Sequence, residues 1–196
     1  MTKTGPRLVA VYLQDQLANW EPSFVLPELR QFKGWQVASI AESVAPIITL
    51  GGLKILPDMD LSYLDSVIPD LLVIPGGNSW KDAGQNTAIT HRLTKLRDSG
   101  VQIAAICAAT LALARVGILD DVAHTSNGVD WLSKLVPEYR GQARYLEKAA
   151  ASDGGVITAS GTSAIEWSYQ IFRTLKVYDE AEAREWLQFY GGRSFS

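Results

Sequence analysis

The chain holds one cysteine, Cys107, and it stands between two stretches of unlike propensity. Residues 101–106 (VQIAAI) carry the β-branched side chains of a buried strand, whereas 108–114 (AATLALA) are mostly strong helix formers. Such a junction holds a nucleophile well. The backbone must turn sharply, the side chain is presented at the sheet edge, and a helix N-terminus favours the thiolate. Ala105 and Ala109 take the −2 and +2 places that glycine fills in G-x-S-x-G, and so leave the bend uncrowded. A lone cysteine is more often buried filler than a catalyst. Here the change of propensity falls at the sulfur itself, which points to chemistry.

Three further groups stand where they can reach that sulfur. Glu21 opens a helix just beyond the first strand, with Pro22 suited to its first turn. It reads equally as a carboxylate favouring the positive end of the helix and as a ligand-side group, because open parallel sheets bind at the carboxyl ends of their strands. Pro75-Gly76-Gly77-Asn78 follows a strand at once; its glycines expose backbone N–H groups that make either an oxyanion hole or a plain turn. Residues 122–127 read as a short strand bringing His124 or Asn127 to the same edge. Alternation puts His124 with Ser126 on one face and Thr125 with Asn127 on the other, so only one pair can face the thiol.

The elements that position these groups alternate between strand and helix. Buried strands are expected over 7–13, 35–41 and 71–74, and Gly51-Gly52 turns a hairpin between 47–50 and 53–56. A helix runs to about residue 32 with Phe24, Leu26, Leu29 and Phe32 inward; another covers 86–97 with Ile89, Leu93 and Leu96 apolar. Residues 143–147 and 156–160 are expected to pair antiparallel. A helix with Ile165, Tyr169 and Phe172 inward follows, and a last one spans 179–189. The sum is an α/β sandwich with a mostly parallel sheet and one hairpin.

Composition narrows the function classes. At 196 residues, 47% apolar and 20% charged, the chain suits one globular domain over 1–196. A net charge of −3 without a basic cluster argues against nucleic acid as a partner. Gln102, Thr110 and Arg115 interrupt the apolar run around Cys107, which argues against a membrane span. One cysteine and two histidines, without C-x-x-C or H-E-x-x-H spacing, predict neither a disulfide nor a metal site and fit a reducing cytoplasm. Neither G-x-G-x-x-G nor G-x-x-x-x-G-K-[ST] is present, so no cofactor is expected.

DQLANWE (15–21), LVIPGG (72–77), AAICAAT (104–110), GILD (117–120), HTSN (124–127) and ITASG (157–161), in this order, resemble the ThiJ/PfpI family of the class I glutamine-amidotransferase-like superfamily. The resemblance implies a three-layer, flavodoxin-like sandwich and a homodimer. It makes Cys107 the elbow nucleophile, the N–H groups of Gly77 and Ala108 the anion pocket, and Glu21 a hydrogen-bond partner of the sulfur. Only a protonated Glu21 can donate there, since two negative groups side by side repel. The family usually places a histidine where this sequence has Asn127, with His124 three residues earlier. The expected activity is hydrolase or glyoxalase-like lyase chemistry on a small carbonyl, amide or related substrate. The alternative is an oxidative-stress sensor working through oxidation of the same cysteine.

Overall fold

Seven strands share one sheet, and the alternation of their side chains divides the core in two. A computed structural model describes residues 7–31 and 35–192. The strands are β1 (Arg7–Tyr12), β2 (Trp35–Ala41), β3 (Ile47–Ile48), β4 (Lys54–Ile55), β5 (Met59–Asp60), β6 (Leu71–Ile74), β7 (Gln102–Ile106), β8 (Ala150–Asp153) and β9 (Val156–Ala159). The main sheet runs β5-β2-β1-β6-β7-β9-β8, parallel throughout except for β8 against β9. β3 and β4 form a separate antiparallel hairpin. This is the α/β sandwich with a small hairpin that strand-helix alternation predicts.

Val9, Val11, Leu71, Val73, Ala104 and Ile106 pack on one face, against Val25 and Leu29 of the first helix, Trp167, Ile171 and Phe172 of helix Ala164–Thr174, and Trp186. Their neighbours in sequence, Ala10, Tyr12, Leu72, Ile74, Ile103 and Ala105, pack on the other face with helices Leu93–Asp98 and Thr110–Arg115. Strands covered on both faces must be apolar at every position, and each fully buried aliphatic side chain contributes about 1.5–3 kcal/mol. Strand order reverses at β1, which pairs with β2 on one side and β6 on the other. The carboxyl ends beside such a reversal form the crevice where open α/β sheets hold ligands.

Several local expectations need correction. No strand forms over 122–127; only the single bridge between His124 and Tyr145 remains. The edge of β7 that such a strand would need is already paired with β9, from Ile103 opposite Val156 to Ile106 opposite Ala159. The partner of β9 is Ala150–Asp153, not 143–147. Gly154 and Gly155 both take positive φ (53° and 80°), so pairing resumes at once on either side of a two-residue turn. The helix expected over 86–97 is two short ones, Thr87–Thr90 and Leu93–Asp98. Asn86 stands left-handed and accepts a hydrogen bond from Tyr12 at 2.8 Å instead of continuing a helix. Trp167 and Ile171 are sealed more deeply than the predicted Ile165 and Tyr169, which are half-buried beside the buried Phe172. Around Pro27, the first helix is preceded by a separate one-turn 3-10 helix, Glu21–Ser23. Phe32 lies outside the described residues. Among the described residues no helix is long and apolar enough to cross a membrane.

Candidate active site

Cys107 follows β7 directly and begins a 3-10 turn, Cys107–Ala109, that leads into helix Thr110–Arg115. Its φ is +58°, a left-handed conformation that costs a non-glycine residue on the order of 1–3 kcal/mol. Surroundings hold it there. The hydroxyl of Thr110 donates to the Cys107 carbonyl at 2.6 Å, and Ala105 and Ala109 are sealed around the bend. Glycines close both sides. A methyl on Gly76 would sit 2.6 Å from Cys107 Cβ, and one on Gly161 would sit 2.6 Å from Sγ.

Glu21 reaches the sulfur from the opening loop. That loop is tied to the Pro-Gly-Gly segment by the pairing of Leu17 with Gly77, in which the Ala18 N–H donates to the Gly76 carbonyl at 3.0 Å. Gln14 Nε2 adds bonds to the carbonyls of Pro75 and Gly76, both at 3.0 Å. These bonds engage the carbonyls of Pro75 and Gly76 and leave the N–H groups of the segment for other partners. The Gly76 N–H donates to Glu21 Oε2 at 2.5 Å, and the Gly77 N–H donates to no group among the described residues. Glu21 is fully buried. Its Oε1 has no hydrogen-bond partner of ordinary geometry, and the Cys107 side chain lies within the reach of the carboxyl.

Burial dominates the electrostatics. It pushes the Glu21 carboxyl up to about 7, against the opposing pull of the Gly76 N–H and the Cys107 side chain. Burial also raises the Cys107 thiol, and the neighbouring Glu21 charge raises it further. The Asn127 amide and the Ala108 N–H pull it back by stabilising the thiolate. Two acids that each resist ionisation beside the other titrate as one unit.

Asn127 completes the group. Its Oδ1 accepts the Gly161 N–H at 2.9 Å, so its Nδ2 faces Sγ at 3.4 Å. The backbone donor thus sets the amide orientation, and the sulfur receives an N–H. His124 is not brought to the sulfur. It is fully buried, with Nδ1 bonded to the Val122 carbonyl at 2.8 Å and Nε2 to the Tyr139 hydroxyl at 2.6 Å. The rings of Tyr139 and Tyr145 stand edge-on to it. With both nitrogens engaged it has none to offer the thiol, and burial lowers its pKa.

A cavity of about 260 Å³ opens over Cys107, Glu21, Gly77, Ala108 and Asn127. Trp20, Trp131 and Lys81 also line it. Sequence reasoning missed these three, together with the role of Gly161 as a wall. Gly161 lies within ITASG, where its only local signal is the start of a helix. Among the described residues no three His, Cys, Asp or Glu side chains gather as a metal site would require.

The sequence model of the DJ-1/PfpI family matches residues 7–174. The uncharacterized protease YoaZ of Bacillus subtilis is 35% identical over 188 residues, covering 92% of this chain and 89% of its own. A Caenorhabditis elegans protein named a glutathione-independent glyoxalase is 28% identical over 144 residues, 73% of this chain and 75% of that one. The crystal structure of a DJ-1 superfamily protein from Agrobacterium tumefaciens, 35% identical, superposes with a TM-score of 0.84 over 93% of this chain and 97% of that one.

Proposed function

The chain belongs to the DJ-1/PfpI family, and on that footing we propose that it is a cysteine-dependent enzyme acting on a small carbonyl compound, amide or related molecule. Relatives named as a protease and a glyoxalase support a reaction that begins at a carbonyl carbon. The observation that carries the reading is Cys107 at φ +58° with the unpartnered Glu21 Oε1 behind it.

In this reading Sγ, as thiolate, attacks the carbonyl carbon. The S–C bond forms as the carbonyl π pair moves onto oxygen, where the N–H groups of Gly77 and Ala108 receive it. Asn127 holds the sulfur in line but takes up no proton near neutral pH. Glu21 therefore keeps the proton that the pair shares and passes it to the oxyanion or to a leaving group. Cys107→Ser should reduce turnover of a panel of small aldehydes and amides to the uncatalysed rate. Turnover retained by that variant would overturn the proposal.

A second reading, an oxidative-stress sensor or protective protein, is favoured by the neutral amide that stands at the sulfur in place of a basic side chain. Each peroxide would then transfer one oxygen to Sγ and leave reduced, as hydroxide or water, and the donors around the sulfur would hold the product. Mass spectrometry after mild peroxide should show two added oxygens on Cys107; an unmodified thiol would reject this reading. Either role fits a cytoplasmic setting and a homodimer. The exposed hairpin side chains Ile48, Leu50, Leu53 and Leu56 support the dimer by offering an apolar face.

A further inference from the structure

The cavity over Cys107 has a charge pattern that points to one class of substrate. Its acid, Glu21, is driven toward the neutral form by burial, and its cation is Lys81. Lys81 Nζ contacts Asn78 Oδ1 at 3.1 Å, and among the described residues no carboxylate pairs with it. An ammonium has three donors, so this contact leaves two of them for a ligand. The position of Lys81 is also informative. It ends the short turn Asn78–Lys81 that begins directly after Gly77, which lines the same cavity and whose N–H donates to no group among the described residues. One turn of backbone therefore carries both a donor for a carbonyl oxygen and a cation for a second negative group. Trp20 and Trp131 give the cavity apolar walls, and at about 260 Å³ it lies just below the usual ~300–1,000 Å³ of drug-sized ligand pockets.

We propose that Lys81 is a specificity-determining residue that selects small carbonyl or amide compounds carrying a carboxylate. The inference rests on the reading of Cys107 as the nucleophile. The carboxylate sits on the Lys81 ammonium, the oxygen of the reacting carbonyl lies against the Gly77 N–H, and the carbon of that carbonyl faces Sγ. An uncharged compound of the same size gains only the second contact.

Alkylation of Cys107 by iodoacetate and by iodoacetamide tests this without a known substrate. In both reactions Sγ forms a bond to the CH₂ carbon, iodide leaves with the C–I electron pair, and the thiol proton passes to Glu21 or solvent. The reagents differ in that one is an anion. At low salt the iodoacetate-to-iodoacetamide rate ratio at Cys107 should exceed that of free cysteine. It should fall about tenfold in Lys81→Met, the lower end of the usual range for charge-focused sites. Lys81→Arg should keep the ratio and Lys81→Glu should lower it further. An equal ratio in the wild type and Lys81→Met, with both reagents labelling Cys107, would overturn the specificity proposal and leave the nucleophile reading standing. Failure of both reagents to label Cys107 would remove the nucleophile reading, and this proposal with it.

Discussion

Two titratable side chains in this fold are equally buried and differ in how their polar atoms are partnered. Glu21 and His124 both have no exposed surface, and in both burial favours the neutral form, raising the carboxyl and lowering the imidazole. His124 has a partner on each nitrogen and two tyrosine rings around it. Glu21 has a backbone donor on one oxygen and no partner on the other, in a side chain that adjoins the Cys107 thiol. Burial alone therefore does not mark a working group. What supports the reading proposed for Glu21 is the oxygen left without a partner near a thiol, because an unsatisfied buried polar atom costs about 1–3 kcal/mol.

The comparison can be broken in two ways, and the larger effect belongs to Glu21. Its pKa rises from the usual 4.5 to about 7 on folding, so between those values the native state holds a proton that the unfolded chain has lost. The stability tied to that proton is fully present below pH 4.5 and is lost as pH rises through about 7, a span of roughly 3 kcal/mol. Urea denaturation from pH 4.5 to 7.5 should therefore show the wild type losing stability relative to Glu21→Gln. Parallel curves would make Glu21 as inert as His124. The imidazole runs the opposite way: its contribution is present above its usual 6.5 and is lost as pH falls.

The smaller effect is at His124. Leucine there would strand the Tyr139 hydroxyl and the Val122 carbonyl, at a cost of about 2 kcal/mol. For a chain of this size that lowers the melting temperature by roughly 4–8 °C. Calorimetry should find that loss while the iodoacetamide rate at Cys107 stays at the wild-type value. A changed rate would mean that His124 communicates with the sulfur after all.

Much of the fold is legible because the central strands have no polar face. Leu71-Leu72-Val73-Ile74 admits few other readings, and the change from β-branched residues to alanine and leucine at Cys107 marks the elbow. Residues 122–127 mislead because their side chains suit a strand, while the edge they would join is taken by residues that come later in the chain. Strand alternation alone cannot choose between Asn127 and His124, and only the family's pattern singles out Asn127. Which of them meets the sulfur depends on the Gly161 N–H, a backbone group with no sequence signature. Lys81 is equally silent, because a lysine after a tryptophan reads as ordinary surface until the fold sets it in the lining of the cavity over Cys107.

The wall supplied by Gly161 has a consequence for how the protein is made. During synthesis Cys107 leaves the ribosome well before Asn127, and Asn127 before Gly161. Until β9 lies alongside β7, the sulfur has neither its amide donor in place nor the close backbone that confines it. The surroundings of this one side chain are therefore finished last, by a segment more than fifty positions further along.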